Sequence, residues 1–234
     1  MTDQMTSVAP PDRISPVTRA REILFSSPLV TSASLLLGII VLAAIFAPWI
    51  VPHDPVRLTP SVRLKPPSET YWLGTDAYGR DLFSRIITGG QISLVVGVAA
   101  AIFAVAFGLL FGLLAGYVRW IDAVLMRIVD GLMAIPSILL AIAIVSLWGA
   151  SLWTVLVAIT IPEVPRVVRL VRSIVLSARE EPYVEAAIAA GSPTWLIMRR
   201  HLVPNTIAPL IIQGTYICAS AILTEAILSF LGAG

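Results

Sequence analysis

Five apolar stretches, each long enough to cross a lipid bilayer as an α-helix, constrain what this sequence can fold into. They cover about residues 29–51, 91–118, 123–148, 152–176 and 206–231. A helix rises 1.5 Å per residue and needs about 20 residues to cross a hydrocarbon core of about 30 Å. Hydrophobic residues make up 57% of the 234 residues and charged residues 13%, and the mean hydropathy is +0.90. Because soluble domains lie far from these values, we predict an all-α, polytopic transmembrane helical bundle.

The polar segments between these stretches indicate the domain organisation. Residues 1–28 are polar, lack the apolar region and cleavage site of a signal peptide, and are predicted to form a cytoplasmic tail. Residues 29–51 are predicted to form the first transmembrane helix. Residues 52–88 are predicted to form an external loop, with a short amphipathic helix at about 80–87. Residues 89–234 then form the core domain.

Glycine and proline residues predict how the helices pack and bend. Three glycines spaced four residues apart share one face of the second span and predict close helix packing: Gly108, Gly112 and Gly116. Asp122 is a candidate N-cap for the third span, and Pro136 is expected to bend that span. Pro162 and Pro165 are expected to break the fourth span.

A polar island, residues 177–205, separates the fourth and fifth spans. Its first helix is expected to end at Gly191 in a left-handed conformation. Ser192 and Pro193 are then expected to start a second short helix, as its hydroxyl cap and its first residue. The small side chains at this corner favour the close approach of another protein, and an ordinary cytoplasmic loop is the alternative. The predicted docking residues are Tyr183, Glu185, Ala186, Ala187, Gly191, His201, Leu202, Pro204 and Asn205.

Several short motifs together indicate a family. In the island, Glu185-Ala186-Ala187 is followed after three residues by Gly191. Further motifs are Leu73-Gly74-Thr75-Asp76, Gly79-Arg80-Asp81, Ser84-Arg85, Met126-Arg127 with Asp130, Ala134 and Pro136, Arg169-Leu170-Val171-Arg172, and Leu228-Ser229-Phe230-Leu231-Gly232. With these motifs, the chain resembles the membrane-spanning permease subunits of ABC importers, in the branch that carries dipeptides, oligopeptides and nickel.

This resemblance implies a set of partners and a location. In the family, the island docks into an ATPase subunit, so two ATP-binding cassette subunits are expected, and they hydrolyse the ATP. A second permease subunit and an external solute-binding protein complete the expected complex, in the lipid of the bacterial inner membrane. The chain itself is expected to bind no cofactor and no metal and to have no catalytic residue. The expected solutes are di- or oligopeptides or related small solutes such as nickel chelates.

The distribution of lysine and arginine predicts the orientation. Placing the N-terminus in the cytoplasm puts most of these residues on the cytoplasmic side, as the positive-inside rule requires. The island then lies in the cytoplasm, where an ATPase can reach it. The loop containing Gly74-Thr75-Asp76 lies outside, towards a protein that delivers the solute.

The span count departs from the family pattern. Relatives are expected to carry six spans and to end in the cytoplasm, whereas five spans are recognised here and the sequence stops at Gly234. We therefore expect a chain that is truncated before the last transmembrane helix.

Two carboxylates in the apolar spans are candidates for the translocation path. Glu163 lies near the middle of the fourth span, where a charge is costly and should face protein or water. A local ion pair with Arg166 is the alternative. Glu225 in the fifth span is either a solute contact or a packing hydrogen bond. Arg127 and Asp130, three residues apart, are predicted to form a structural pair.

Other functional classes find little support. We find no H-E-x-x-H, no G-x-S-x-G and no P-loop, so an enzyme is disfavoured. Cys218 is the single cysteine, and two histidines alone do not make a metal site. The dispersed basic residues argue against nucleic-acid binding. The remaining rival is a secondary transporter driven by an ion gradient, with Glu163 and Glu225 as its coupling site.

Overall fold

The computed structural model describes residues 27–232, and these fall into two compact units that divide between Thr88 and Gly89. Regular structure in this part of the chain is helical, apart from one isolated β-bridge between Thr75 and Asp81. The predicted all-α class is confirmed. The predicted tail, residues 1–28, lies almost wholly outside the described residues. The helices are α1 (Pro28–Ile45), α2 (Ala47–Ile50), α3 (Leu82–Tyr117), α4 (Arg119–Met133), α5 (Ser137–Trp148), α6 (Leu152–Ala178), α7 (Pro182–Ala189), α8 (Thr194–Ile197) and α9 (Val203–Phe230).

The first span is shorter than predicted. Ser27 caps α1, its hydroxyl accepting a hydrogen bond from the N–H of Leu29, and Pro28 occupies the first helical turn. The helix ends at Ile45, and the remainder of the predicted span forms the separate short helix α2. Most of the large side chains of α1 are exposed, as expected of a helix whose natural surroundings are lipid.

Length and composition qualify three helical segments as membrane spans: α1, α3 and the run Thr194–Phe230, which contains α8 and α9. Helices α4 and α5 together make a fourth candidate, although they meet at an angle of 88°. The predicted bend at Pro136 is therefore confirmed. Two predicted boundaries move outwards: α3 starts at Leu82 and absorbs the amphipathic helix expected near residues 80–87, and the last span starts before residue 206.

The fourth predicted span forms α6, which is one continuous helix with Pro162 and Pro165 inside it. The expectation that these prolines break the helix is wrong. Helix α6 is not apolar enough to qualify as a span, because four ionisable residues lie within ten positions: Glu163, Arg166, Arg169 and Arg172. It is instead largely buried by its neighbours, and this explains why it tolerates both the charges and the prolines.

The predicted glycine face of α3 packs directly against valines of α6. A Cβ atom added at Gly108 would overlap Cβ of Val167. At Gly112 the nearest atom would be Cβ of Val171 at 2.6 Å. Gly116 meets Val175 in the same way, at 2.6 Å. These distances leave no room for a side chain, so the prediction of close helix packing is confirmed.

Candidate functional sites

The polar island folds as a helix, a tight corner and a second short helix. Helix α7 ends in a pair of hydrogen bonds in which the N–H of Gly191 reaches the carbonyl of Ile188 at 2.9 Å and the N–H of Ser192 reaches that of Ala187 at 3.1 Å. This is the Schellman arrangement, which requires a left-handed residue just after the helix. Gly191 has φ of 74°, so its predicted conformation is confirmed.

The second helix of the island starts differently from the prediction. Ser192 does not cap it, and no side chain in the described part of the chain caps this helix. Pro193, with extended backbone, takes the N-cap position, and α8 begins at Thr194. A π-helical turn, Met198–Leu202, then joins α8 to α9.

Side chains from the two ends of the island meet. The amide nitrogen of Asn205 donates hydrogen bonds to the hydroxyl of Tyr183 and to the carbonyl of His201, each at 2.8 Å. The rings of Tyr183 and His201 lie 5.8 Å apart. Pro204 sits beside Asn205 in the first turn of α9. The structure therefore brings together three of the predicted docking residues across a sequence separation of 22 positions.

The inner face of the island is fixed in the core, while its outer face is free. Val184 of α7 and Leu202 are fully buried and belong to the hydrophobic cluster that contains Val175 and Ala178 of α6. The outer face exposes Glu185, Ala186, Ile188, Gly191 and Trp195. The inner contacts already hold the corner in place. A protein partner can therefore bind its partly apolar outer surface without the entropy cost of ordering it first.

The loop before α3 is organised around Asp76. One carboxylate oxygen accepts hydrogen bonds from the backbone N–H groups of Tyr78 and Arg80, at 2.8 and 2.9 Å. The other accepts from the side chains of Arg80, at 2.7 Å, and Arg85, at 2.9 Å. Burial alone would raise the pKa of Asp76, but these hydrogen bonds and the charge of Arg80 outweigh it and lower the pKa to about 2. The motif residues therefore form a charged cluster around Asp76 that holds the loop in place.

We predict that this charged cluster is stable above about pH 4 and loosens between about pH 4 and 2. The folded pKa of about 2 is below the ordinary value of 3.8, so the stabilisation is present above the ordinary value and is lost as pH falls through the folded one. Hydrogen exchange of the amides of residues 74–82, corrected for the intrinsic exchange rate, measures it. Asp76→Asn should lose this protection at neutral pH, whereas Glu69→Gln, an exposed carboxylate of the same loop, should keep it. Unchanged protection in Asp76→Asn would contradict the claim that this charged cluster stabilises the loop.

A second carboxylate anchors the start of α3. Asp81 accepts hydrogen bonds from the hydroxyl and the N–H of Ser84, and its oxygen lies 3.5 Å from Nδ1 of His53. This contact between residues 28 positions apart could not be predicted from sequence, because nothing in the spacing relates His53 to Asp81. The hydrogen bonds from Ser84 to Asp81 join the motifs Gly79-Arg80-Asp81 and Ser84-Arg85.

Two acidic residues of α4 have partners that differ from the prediction. Asp130 pairs with Arg169 of α6 at 2.5 Å and not with Arg127. Asp122 is not an N-cap: it lies inside the first turn of α4 and binds the guanidinium of Arg172. Helix α6 is therefore joined to α4 by two ion pairs. A helix that carries several arginines can be accommodated in this way.

The two candidate path residues have different surroundings. Glu163 is buried, and its Oε1 accepts a hydrogen bond from Arg166 at 2.8 Å. Glu225 is half-buried, and its Oε2 accepts from the hydroxyl of Ser93 at 2.7 Å. Both alternatives raised by the sequence, the local ion pair and the packing hydrogen bond, are present. Within residues 27–232 there is no group of three or more His, Cys, Asp or Glu side chains placed to hold a metal ion.

Comparison with known proteins decides the family. The family described as binding-protein-dependent transport system inner membrane component matches residues 104–234, more than half of the chain. The chain belongs to this permease family. The family described as the N-terminal TM domain of oligopeptide transport permease C matches residues 15–67.

Individual relatives agree with this assignment. A probable peptide ABC transporter permease of Sinorhizobium fredii is 52% identical over 88% of this chain and 71% of its own length. A dipeptide transport system permease of Alkalihalophilus pseudofirmus is 44% identical over 100% and 78%. A glutathione transport system permease of Pectobacterium atrosepticum is 38% identical over 87% and 68%.

Family membership confirms the predicted class, that of a multi-pass transport permease of the bacterial inner membrane. The family match includes the whole of the island, as well as Glu163 and Glu225. The roles of these residues are proposals.

Proposed function

We propose that this permease is the membrane subunit of an ATP-driven importer for di- or oligopeptides or a related small solute. The peptide, dipeptide and glutathione permeases among its relatives support this solute class. The observation that carries the mechanism is the island at α7 and α8, whose inner face is buried against the helical core and whose outer face is exposed. The chain catalyses no bond cleavage in this proposal.

Each proposed partner has a separate role in transport. Two ATP-binding cassette subunits bind and hydrolyse ATP, and one of them docks on the exposed face of α7. A second permease subunit completes the path through the membrane, and an external solute-binding protein delivers the solute to the outer side. The loop around Asp76 faces that protein.

In this proposal, the contacts between the two ends of the island transmit movement. Asn205 links the start of α7 to the start of α9 through its hydrogen bond to Tyr183. Val184 and Leu202 pack in the cluster that includes α6 residues. Because close-packed interiors transmit displacement, α7 moves as a rigid lever and carries α6 and α9 with it. ATP binding to the partner subunits thereby biases the permease between inward-open and outward-open states.

Purification of the tagged chain from its native membrane in mild detergent tests this proposal. We expect ATP-binding cassette subunits and a second permease to co-purify with it. Purification without any ATP-binding subunit would contradict an ATP-driven importer and favour a self-sufficient carrier.

We predict that Glu185→Lys lowers the amount of ATPase subunit that co-purifies by about tenfold. Glu185 is exposed on α7, and reversing its charge changes the proposed docking surface without altering a core contact. The matched control is Glu69→Lys, the same reversal on the loop before α3, which should co-purify ATPase like the unmodified chain. Equal recovery of ATPase with both variants would place the docking surface elsewhere.

A further inference from the structure

A small polar cavity lies between helices α5, α6 and α9. Its volume is about 160 Å³. Each of the three helices contributes a side-chain hydroxyl or a charge to its wall. The lining residues that carry polar groups are Ser137, Glu163, Arg166, Tyr216, Ser220 and Thr224.

The carboxylate of Glu163 is the unusual member of this wall. The residue is 4% exposed, and its Oε1 is occupied by Arg166. Its Oε2 is buried and makes no hydrogen bond to any described residue. A buried carboxylate oxygen without a donor is costly, so a native structure retains one only for a reason. Glu225 shows the contrast, because its carboxylate is satisfied by Ser93.

The other groups of the wall suit a ligand with several N–H donors. The hydroxyls of Ser137, Tyr216 and Ser220 make no hydrogen bond within the described part of the chain, so their oxygens can accept one. A primary ammonium has three N–H donors and fits one carboxylate oxygen together with hydroxyl oxygens. A divalent cation needs more oxygen ligands and usually several carboxylates, which this wall does not provide.

We propose that this cavity binds the ammonium end of the transported solute, with Glu163 Oε2 as its counter-ion. This inference rests on the proposed import function. Arg166 already balances the charge of Glu163, so the site suits the ammonium of a zwitterion, such as a free peptide, better than a solute of net positive charge. The volume is large enough for the ammonium and its neighbouring carbon atoms. Arg166 is a positioning residue that fixes Oε1 and leaves Oε2 to the ligand.

Uptake by the complete importer tests the role of Glu163. Glu163→Gln keeps the shape and removes the charge, and should slow ATP-driven uptake of dialanine by about tenfold to a hundredfold. The amount of assembled complex and its ATPase activity without solute should stay unchanged. The matched control is Asp130→Asn, which also removes a carboxylate paired with an arginine of α6 but at an exposed position. Uptake by Glu163→Gln at the unmodified rate would overturn the proposal.

Binding to the unmodified complex provides a test that does not depend on the variant's folding. Saturation-transfer NMR on the purified complex, without the solute-binding protein, should detect dialanine and not N-acetyl-dialanine. A signal from N-acetyl-lysyl-alanine would show that a lysine ammonium also serves, and its absence would restrict the site to the α-amino group. Equal signals from dialanine and N-acetyl-dialanine, or none from dialanine, would overturn the proposal. Failure of ATPase subunits to co-purify would instead overturn the import function itself, so the two failures are distinguishable.

Discussion

Replacing Gly191 with valine is expected to uncouple solute uptake from ATP hydrolysis, lowering uptake per ATP by about tenfold or more. Gly191 has φ of 74°, a conformation that costs most residues about 1–2 kcal/mol and β-branched residues more. No other atom lies within 4 Å of where its Cβ would be, so the effect comes from the backbone and not from a clash. Straightening the corner breaks the hydrogen bonds that close α7. Uptake and ATPase activity of the reconstituted complex measure the loss.

The matched control for this prediction is Gly191→Asn. Asparagine tolerates the left-handed conformation better than other residues with a side chain, so this variant should remain largely coupled. Tightly coupled uptake by Gly191→Val would show that the corner is not the element that transmits force. Equal losses in both variants would point to the bare surface of glycine, and not its conformation, as the requirement.

Replacing Gly112 with alanine is expected to cause a large loss of folded permease. The added Cβ would lie 2.6 Å from Cβ of Val171, so α3 and α6 must move apart along their main contact. Overpacking of this kind costs about 1–3 kcal/mol. Gly90 of the same helix has open space at its Cβ position, and alanine there should be neutral or stabilising. The yield of monodisperse protein after heating in detergent measures both variants, and equal yields would contradict the packing of α3 on α6.

Features determined by local chemistry could be predicted from the sequence. The spacing of Gly108, Gly112 and Gly116 predicted a packing face, because a period of four keeps residues on one side of a helix whatever the partner is. Gly191 predicted a left-handed corner, because few other residues adopt that conformation at low cost. The partner of the glycine face, the valines of α6, could not be predicted, since no local signal relates helices more than 50 residues apart.

The errors come from local preferences that other contacts override. Ser192 has the hydroxyl of an N-cap, but it belongs to the Schellman turn that closes α7, and Pro193 takes the N-cap position of α8. Asp130 has Arg127 three residues before it, yet Arg169 of α6 binds it. Pro162 and Pro165 were expected to break a helix that its neighbours keep continuous. For Asp130 and for the two prolines, tertiary contacts override a sound local preference.

The candidate sites also combine features that the local sequence indicates with contacts that only the fold supplies. The sequence indicated the ion pair of Glu163 with Arg166 as the alternative to a path role, because the two residues are one turn apart, and the structure contains this pair. The unsatisfied Oε2 and the hydroxyls facing the same cavity come from three helices, and only the fold brings them together. Docking of the island to an ATPase and the path role of Glu163 stay predictions.

The most direct test of ATP-driven import is the energy source for uptake. The measurement is uptake of labelled dialanine into proteoliposomes that contain the purified complex and its solute-binding protein, with ATP available to the ATPase subunits. The account predicts uptake that requires ATP and persists when ionophores abolish every ion gradient. Uptake that proceeds without ATP and stops when the gradients are abolished would contradict it.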